Sequence, residues 1–275
     1  MSNYKEYDQK TLKKLHDVQL EMLDVFAKIC EKYDFHYSLA GGTMLGAIRH
    51  KGFIPWDDDI DILMPRREYE KFLMVAQQEL GDKYYLDYFD INKDYYLQFA
   101  KIKKNGTIFD EASAHHLKLH KGIYIDIFPM DNVYDNTKRS YLDAVMIKTI
   151  GQTIGVKNGL GTIKDTRHPV FSTLLRVFPK KMLMKVQKWL STKNKNDNSK
   201  YITCYFGYAF KKELMERKDF FPTKLVEFEG RKYQAMNNYD KYLSGLYGDY
   251  MKLPPVEKRV NHMPLKIDFG DNNED

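Results

Sequence analysis

At 275 residues, 43% of them hydrophobic and 30% charged, the chain can bury a substantial core, as one large domain or as a core with a helical extension. Two cysteines, Cys30 and Cys204, are too few for a disulfide framework and lack metal-ligand spacing. The net charge of +6 comes without a nucleic-acid-binding motif, an apolar run of membrane-span length or a signal peptide in the polar stretch 1–10, so nucleic acid is not an expected partner and the cytoplasm is the expected location.

Leu12, Leu15, Met22, Phe26 and Ile29 recur at three- and four-residue intervals and predict a helix over 11–32 that packs across a sheet. Residues 36–40 read as a short strand ending at Gly41-Gly42. Thr43 can then cap a short helix over 44–49. Strand, double glycine and helix make an anion cradle: glycine lets the backbone approach a phosphate, and the free N–H groups of Gly41, Gly42 and Thr43 point at it. Arg49 closes that helix, where its guanidinium could hold a phosphate oxygen.

Asp57, Asp58, Asp59 and Asp61 then crowd into five positions and run into Ile60 and Ile62. With the period of a strand, Asp57, Asp59 and Asp61 share one face, and Asp58, Ile60 and Ile62 the other. Three carboxylates on one face repel each other unless a cation lies between them, and hard oxygen ligands suit Mg²⁺ or Mn²⁺. The alternative is an acidic loop leading into an ordinary edge strand. Trp56 beside them is expected to pack and position the loop.

A helix is expected over 66–80 and a strand over 95–104. Lys101 and Lys103 lie on one face of that strand, either reaching a diphosphate or lining a solvated face. His115, His116 and His120 read as a solvated loop, without a zinc pattern. The run 122–128 is of strand type with Asp126 at its centre. A carboxylate there is costly to bury unless it is paired or ligates a metal; alternatively it lies on the strand's wet face. With Asp59 and Asp61 it completes the three-carboxylate set of a metal-assisted phosphoryl-transfer site, Asp57 being a further candidate ligand.

Beyond 130 the pattern turns mostly helical and ends in a polar tail over 271–275. From 171 to 200 there are eight basic residues against one acid, Asp197, interleaved with apolar residues including Leu174, Val177, Phe178, Met182 and Trp189. Such a basic amphipathic helix either lies on an anionic membrane surface or turns its apolar face to the core.

The runs 39–64, 122–130 and 239–255 resemble the LicD family, whose bacterial members transfer phosphocholine and which includes the fukutin-related proteins. The resemblance implies an α+β fold: a nucleotidyltransferase-like mixed β-sheet core with flanking helices and a mostly helical C-terminal half. The corresponding division is 1–35 as an N-terminal helix packing on the core, 36–130 as the catalytic core and 131–275 as the region completing the substrate site. One departure is Ala235-Met236, where the family pattern leads one to expect Val-Pro.

Taken over residue by residue, Asp59, Asp61 and Asp126 become the metal-holding and catalytic set and Gly41 and Gly42 the phosphate turn. His262 and Arg259 gain an expected substrate contact. The implied reaction takes phosphocholine from CDP-choline to a sugar hydroxyl of a glycan or lipid-linked glycan precursor, a teichoic acid or lipopolysaccharide unit, releasing CMP. This favours contact with the inner face of the membrane through 171–200. Other donors (CDP-ribitol, CDP-glycerol, a nucleotide-sugar) and conventional nucleotidyl transfer releasing pyrophosphate remain open. The 21 tyrosines offer many ring faces for choline's quaternary ammonium, none singled out by sequence.

Overall fold

A computed structural model describes residues 7–270; the polar tail expected over 271–275 and most of the charged start lie outside them. In chain order the elements are α1 (Gln9–Tyr33), β1 (Ser38–Leu39), α2 (Gly41–Arg49), β2 (Asp61–Pro65), α3 (Arg66–Leu80), β3 (Tyr84–Asp87), β4 (Ala100–Lys104), β5 (Ile108–Asp110) and β6 (Tyr124–Val133). There follow α4 (Thr137–Lys157), α5 (Pro169–Leu175), α6 (Lys180–Thr192), β7 (Tyr201–Thr203), α7 (Phe210–Glu213), β8 (Met215–Glu216) and α8 (Arg217–Phe220). The chain closes with β9 (Lys224–Phe228), β10 (Arg231–Ala235), α9 (Tyr239–Tyr247) and β11 (Lys266–Asp268).

The main sheet runs β1-β2-β6-β4-β3, with β7 on the far end of β6 and β8 on β7. Only β2 and β6 are parallel; the other pairs are antiparallel. The registers matter most for the site. Asp61 lies opposite Asp126, and Asp126 opposite Lys101. β6 changes partner along one edge, from β4 at its start to β7 at its end. Pro129 falls between the two, where that edge has no ladder for its missing N–H to interrupt.

α1 forms as its periodicity predicts. Asp8 caps it by accepting from the Thr11 N–H at 2.9 Å, and Leu12, Leu15, Met22, Phe26 and Ile29 are buried. Phe26 meets Phe72 of α3 with ring centroids 5.2 Å apart, and both helices pack on β6. Ile60, Ile62, Ile125 and Ile127 are wholly buried. Alternation turns Asp61 and Asp126 to the opposite side of their strands from Ile62, Ile125 and Ile127.

Several expected elements are shorter. The 36–40 strand is only Ser38–Leu39, and the 95–104 strand is only Ala100–Lys104. Tyr95 instead bends back, its hydroxyl donating to the Phe99 carbonyl at 2.9 Å. The C-terminal half is less helical than expected, since it contributes β7, β8, the β9–β10 hairpin and β11. The segment 171–200 is two helices, broken at Pro179, followed by a loop. Leu183, Met184 and Leu190 join Ala144, Ile147, Ile150 and Ile154 in a second apolar cluster, so α6 does turn one face to the core. At Ala235-Met236 the Met236 N–H donates to Ser38 Oγ at 2.9 Å, a bond that proline could not make.

Candidate functional site

α2 begins at Gly41, not at Met44, and Thr43 does not cap it: Ala40 is the N-cap residue and gives no side-chain cap. Thr43 Oγ1 instead accepts from the Asp61 N–H at 2.9 Å and ties the helix to the start of β2. Gly41 has φ +48, and its N–H donates to the Tyr242 hydroxyl at 3.2 Å. A Cβ on Gly41 would lie 3.0 Å from Asp61 Oδ2, and one on Gly42 only 2.5 Å from Asp57 Oδ2. The double glycine thus lets two carboxylates close onto the first turn of the helix.

Asp57–Ile60 is irregular backbone rather than strand, yet its residues alternate as expected. Asp58 and Ile60 are buried away from solvent, while Asp57, Asp59 and Asp61 line a cavity. Burial raises the carboxyls of Asp57 and Asp61 well above the ordinary range. The neighbouring charges push the same way, Asp59 and Asp58 on Asp57, and Asp59, Asp126 and Asp57 on Asp61. Asp59 is raised to about 6, by burial first, with His262 opposing and Asp58 and Asp126 adding. Burial also raises Asp126, against the opposing charge of Lys101. The acidic run is therefore no solvated loop: its Asp57, Asp59 and Asp61 lie at close quarters with Asp126 of β6.

Asp126 is not on a wet face. It is 7% exposed, and Lys101 Nζ lies 2.8 Å from its Oδ1 and 3.0 Å from its Oδ2. The same ammonium sits 3.4 Å above the Tyr124 ring. Lys103 is buried too, bonded to Asp87 at 2.8 Å and to the His120 carbonyl at 2.6 Å. The solvated face proposed for these lysines is corrected: each neutralises a buried carboxylate. The three histidines lie in a loop, as expected, with separate partners: His115 meets Asp110, His116 the Asn158 carbonyl and His120 Asn105.

Asp58 anchors the returning C-terminal segment. It accepts from the Tyr7 hydroxyl at 2.8 Å and from the His262 N–H at 2.8 and 3.0 Å, with His262 Nδ1 at 3.2 Å. His262 Nδ1 is also 3.4 Å from Asp59. The bond to Asp58 is the main cause that raises His262 to about 10. Asp58, Asp59 and His262 form a compact group, their candidate ligand atoms within 4.8 Å of one another. A protonated imidazole is a counter-ion, not a ligand, so this group reads as an ion-paired triad. Among the described residues Asp59, Asp61 and Asp126 do not form so tight a triple. What fits a divalent cation is the cluster of Asp57, Asp59 and Asp61, where His262 faces Asp59, Arg49 is engaged by the Tyr250 carbonyl and Lys101 is taken up by Asp126.

Two cavities meet at Asp59 and His262, which line both. One, about 220 Å³, is walled by Tyr95, Tyr96, Phe99 and Tyr124 around Lys101, Lys103 and Asp126. The other, about 510 Å³, holds Gly42, Asp57, Asp61, Arg49, Trp56, Lys258 and Arg259. Arg49 lines this cavity but is engaged, its Nη1 donating to the Tyr250 carbonyl at 2.7 Å. Arg259 lies 4.0 Å over the Trp56 ring, so Trp56 positions an arginine as well as the loop. Sequence reasoning missed Tyr208 and Tyr247, whose hydroxyls meet at 2.8 Å beside the acids. Tyr247 falls in the recognised stretch 239–255; Tyr208 carries no local signal.

A mixed sheet that aligns carboxylates from adjacent strands beside a glycine-started helix defines a class of acidic sites. A family model described as LicD/FKTN/FKRP, nucleotidyltransferase domain, matches residues 34–150. The chain is 36% identical over 262 residues to the lipopolysaccharide cholinephosphotransferase LicD of Haemophilus influenzae, covering 92% of this chain and 96% of that protein. Uncharacterized proteins of Rickettsia typhi and Rickettsia prowazekii, each 28% identical, match 42% of this chain. The chain belongs to the LicD family, as its motifs indicated.

Proposed function

We propose that this chain is a transferase of phosphorus-containing groups that moves phosphocholine from CDP-choline to a sugar hydroxyl of a cell-surface glycan precursor. A lipopolysaccharide unit, the acceptor named for the H. influenzae relative, is the first candidate, with a teichoic acid unit next. A nucleotidyltransferase-like core would carry the reaction, with Mg²⁺ or Mn²⁺ held by Asp59 and Asp61, assisted by Asp57 and Asp126. The observation that carries the reading is the register that sets Asp61, Asp126 and Lys101 side by side on three strands.

When bound, the cation would neutralise charge on the diphosphate. The residues do the rest. The acceptor oxygen attacks the phosphorus bearing choline, the bond to the bridging oxygen breaks, and CMP leaves with that oxygen. Asp126, oriented by Lys101 and raised above the ordinary carboxylate range by burial, takes the acceptor's proton. The larger cavity, with Arg259, Lys258 and the N-terminus of α2, suits the nucleotide and its phosphates. The smaller, walled by five aromatic rings together with Asp110, Glu111 and Asp126, suits the trimethylammonium group. Cys30 and Cys204, both buried and unpaired, suit the cytoplasm, where a nucleotide-activated donor would be met.

The test is turnover of Asp61→Asn and Asp126→Asn. Each should lose at least about 10²-fold in kcat with unchanged circular dichroism. Near-normal turnover of either under saturating Mg²⁺ removes that residue from the chemistry.

A further inference from the structure

The helical pair α5–α6 has an outer surface that the catalytic reading does not use. Val170 is 79% exposed, Leu174 62%, Val177 78% and Trp189 60%, with Phe178 and Met182 exposed beside them. Val170, Leu174 and Val177 follow at four- and three-residue spacing, so they share one side of α5 and the turn that follows it. Met182 continues the strip into the first turn of α6. Large apolar side chains gathered on a surface in this way mark an interaction site.

The charges within the segment itself are of one sign. No Asp or Glu occurs over 166–196, which holds eight lysines and arginines. Lys188 and Lys193 are matched by Asp90 and Asp143. Arg176, Lys181 and Lys185 are exposed and, among the described residues, belong to no ion pair. No helix is long and apolar enough to cross a membrane. An apolar strip edged by unmatched cations is the composition of a surface that lies in the headgroup region of an anionic bilayer.

We propose that α5–α6 docks this protein on an anionic membrane surface, Val170, Leu174, Val177, Phe178 and Met182 entering the interface and Arg176, Lys181 and Lys185 meeting lipid phosphates. The surface is joined to the site. Gln98 Nε2 donates to the Met184 carbonyl of α6 at 2.7 Å, and its neighbours Leu97 and Phe99 line the smaller cavity. Docking would bring that cavity to a lipid-anchored acceptor.

The test is co-sedimentation of the full chain with vesicles of phosphatidylglycerol and phosphatidylcholine in equal amounts, beside vesicles of phosphatidylcholine alone, with Trp189 emission as a second readout. Binding is expected only to the anionic vesicles, with a blue shift of emission and loss in high salt. Leu174→Glu/Val177→Glu and, separately, Lys181→Glu/Lys185→Glu should each weaken it at least tenfold without lowering the melting temperature, because all four side chains are exposed. No binding to anionic vesicles, or binding unchanged in the apolar double variant, overturns the proposal. So does a dimer in solution that Leu174→Glu/Val177→Glu dissociates, since a second copy would then cover the strip. The assay needs no turnover, so its failure leaves phosphocholine transfer standing, and failure of transfer leaves the docking result standing.

Discussion

Replacing Asp59 by asparagine should stabilise the metal-free protein while removing its turnover. The carboxyl of Asp59 is raised from the ordinary 3.8 to about 6, chiefly by burial. A carboxyl raised on folding contributes its full share of stability only below the lower value, and the share is lost as the pH rises through the upper one. At pH 8 that loss amounts to about 3 kcal/mol. Asparagine removes the charge and keeps the shape, but gives up the 3.4 Å contact with the half-exposed His262 imidazole, worth up to about 1 kcal/mol. The net gain is about 2 kcal/mol, or roughly 4–8 °C in melting temperature for a chain of this size. Scanning calorimetry in EDTA at pH 8 reads it directly, and the gain should fade as the pH falls towards about 4. Added Mn²⁺ should then raise the melting temperature of the wild type more than that of the variant. An asparagine variant no more stable than wild type at pH 8, or equal Mn²⁺ shifts in both, would refute the idea that these acids await a cation.

Three further outcomes are expected. Glu213 is 2% exposed, and burial raises it to about 7, with Lys148 opposing. Its contribution to stability is present below 4.5 and lost as the pH rises to about 7, so Glu213→Gln, which can still accept from the Tyr208 N–H, should gain up to about 3 kcal/mol at pH 8 and almost nothing near pH 4; urea titrations at the two pH values check this, and an equal gain at both contradicts it. Gly42→Ala places a Cβ 2.5 Å from Asp57 Oδ2, so Mn²⁺ affinity by calorimetric titration should fall about tenfold or more with the fold retained; unaltered affinity would separate Asp57 from the cation. Arg66 holds buried Asp131 through bonds of 2.6 and 2.9 Å, so Arg66→Met should cost about 3–5 kcal/mol in urea unfolding, and a loss under about 1 kcal/mol would show that Asp131 finds another partner.

The parts legible in the sequence are those whose signal is local. α1 declares itself through apolar spacing, and the alternation of aspartate and isoleucine over 57–62 assigns the two faces even where the backbone is not strand. Asp126 stands out as a lone carboxylate in an apolar run. Other features depend on distant chain. Lys101 and Lys103 look like a wet strand face until β6 and β3 bring Asp126 and Asp87 against them. Strand β4 stops short because Tyr95 and Gln98 spend their polar groups on the loop and on α6. The β9–β10 hairpin is masked by its charged, exposed residues, although Glu229-Gly230, both at positive φ, is a hairpin turn. His262 reaches Asp58 across 204 positions, a contact no local pattern encodes.

The most direct measurement is nucleotide release from CDP-choline, with CDP-ribitol and CDP-glycerol in parallel, in Mg²⁺ and in EDTA, using lipopolysaccharide or teichoic acid precursor as acceptor. CMP is expected from CDP-choline alone, in Mg²⁺ and not in EDTA, with phosphocholine appearing on the acceptor. Undiminished CMP release in EDTA would contradict the role given to Asp57, Asp59 and Asp61. Pyrophosphate released by this enzyme from a nucleoside triphosphate, with no CMP from any donor, would contradict phosphocholine transfer itself.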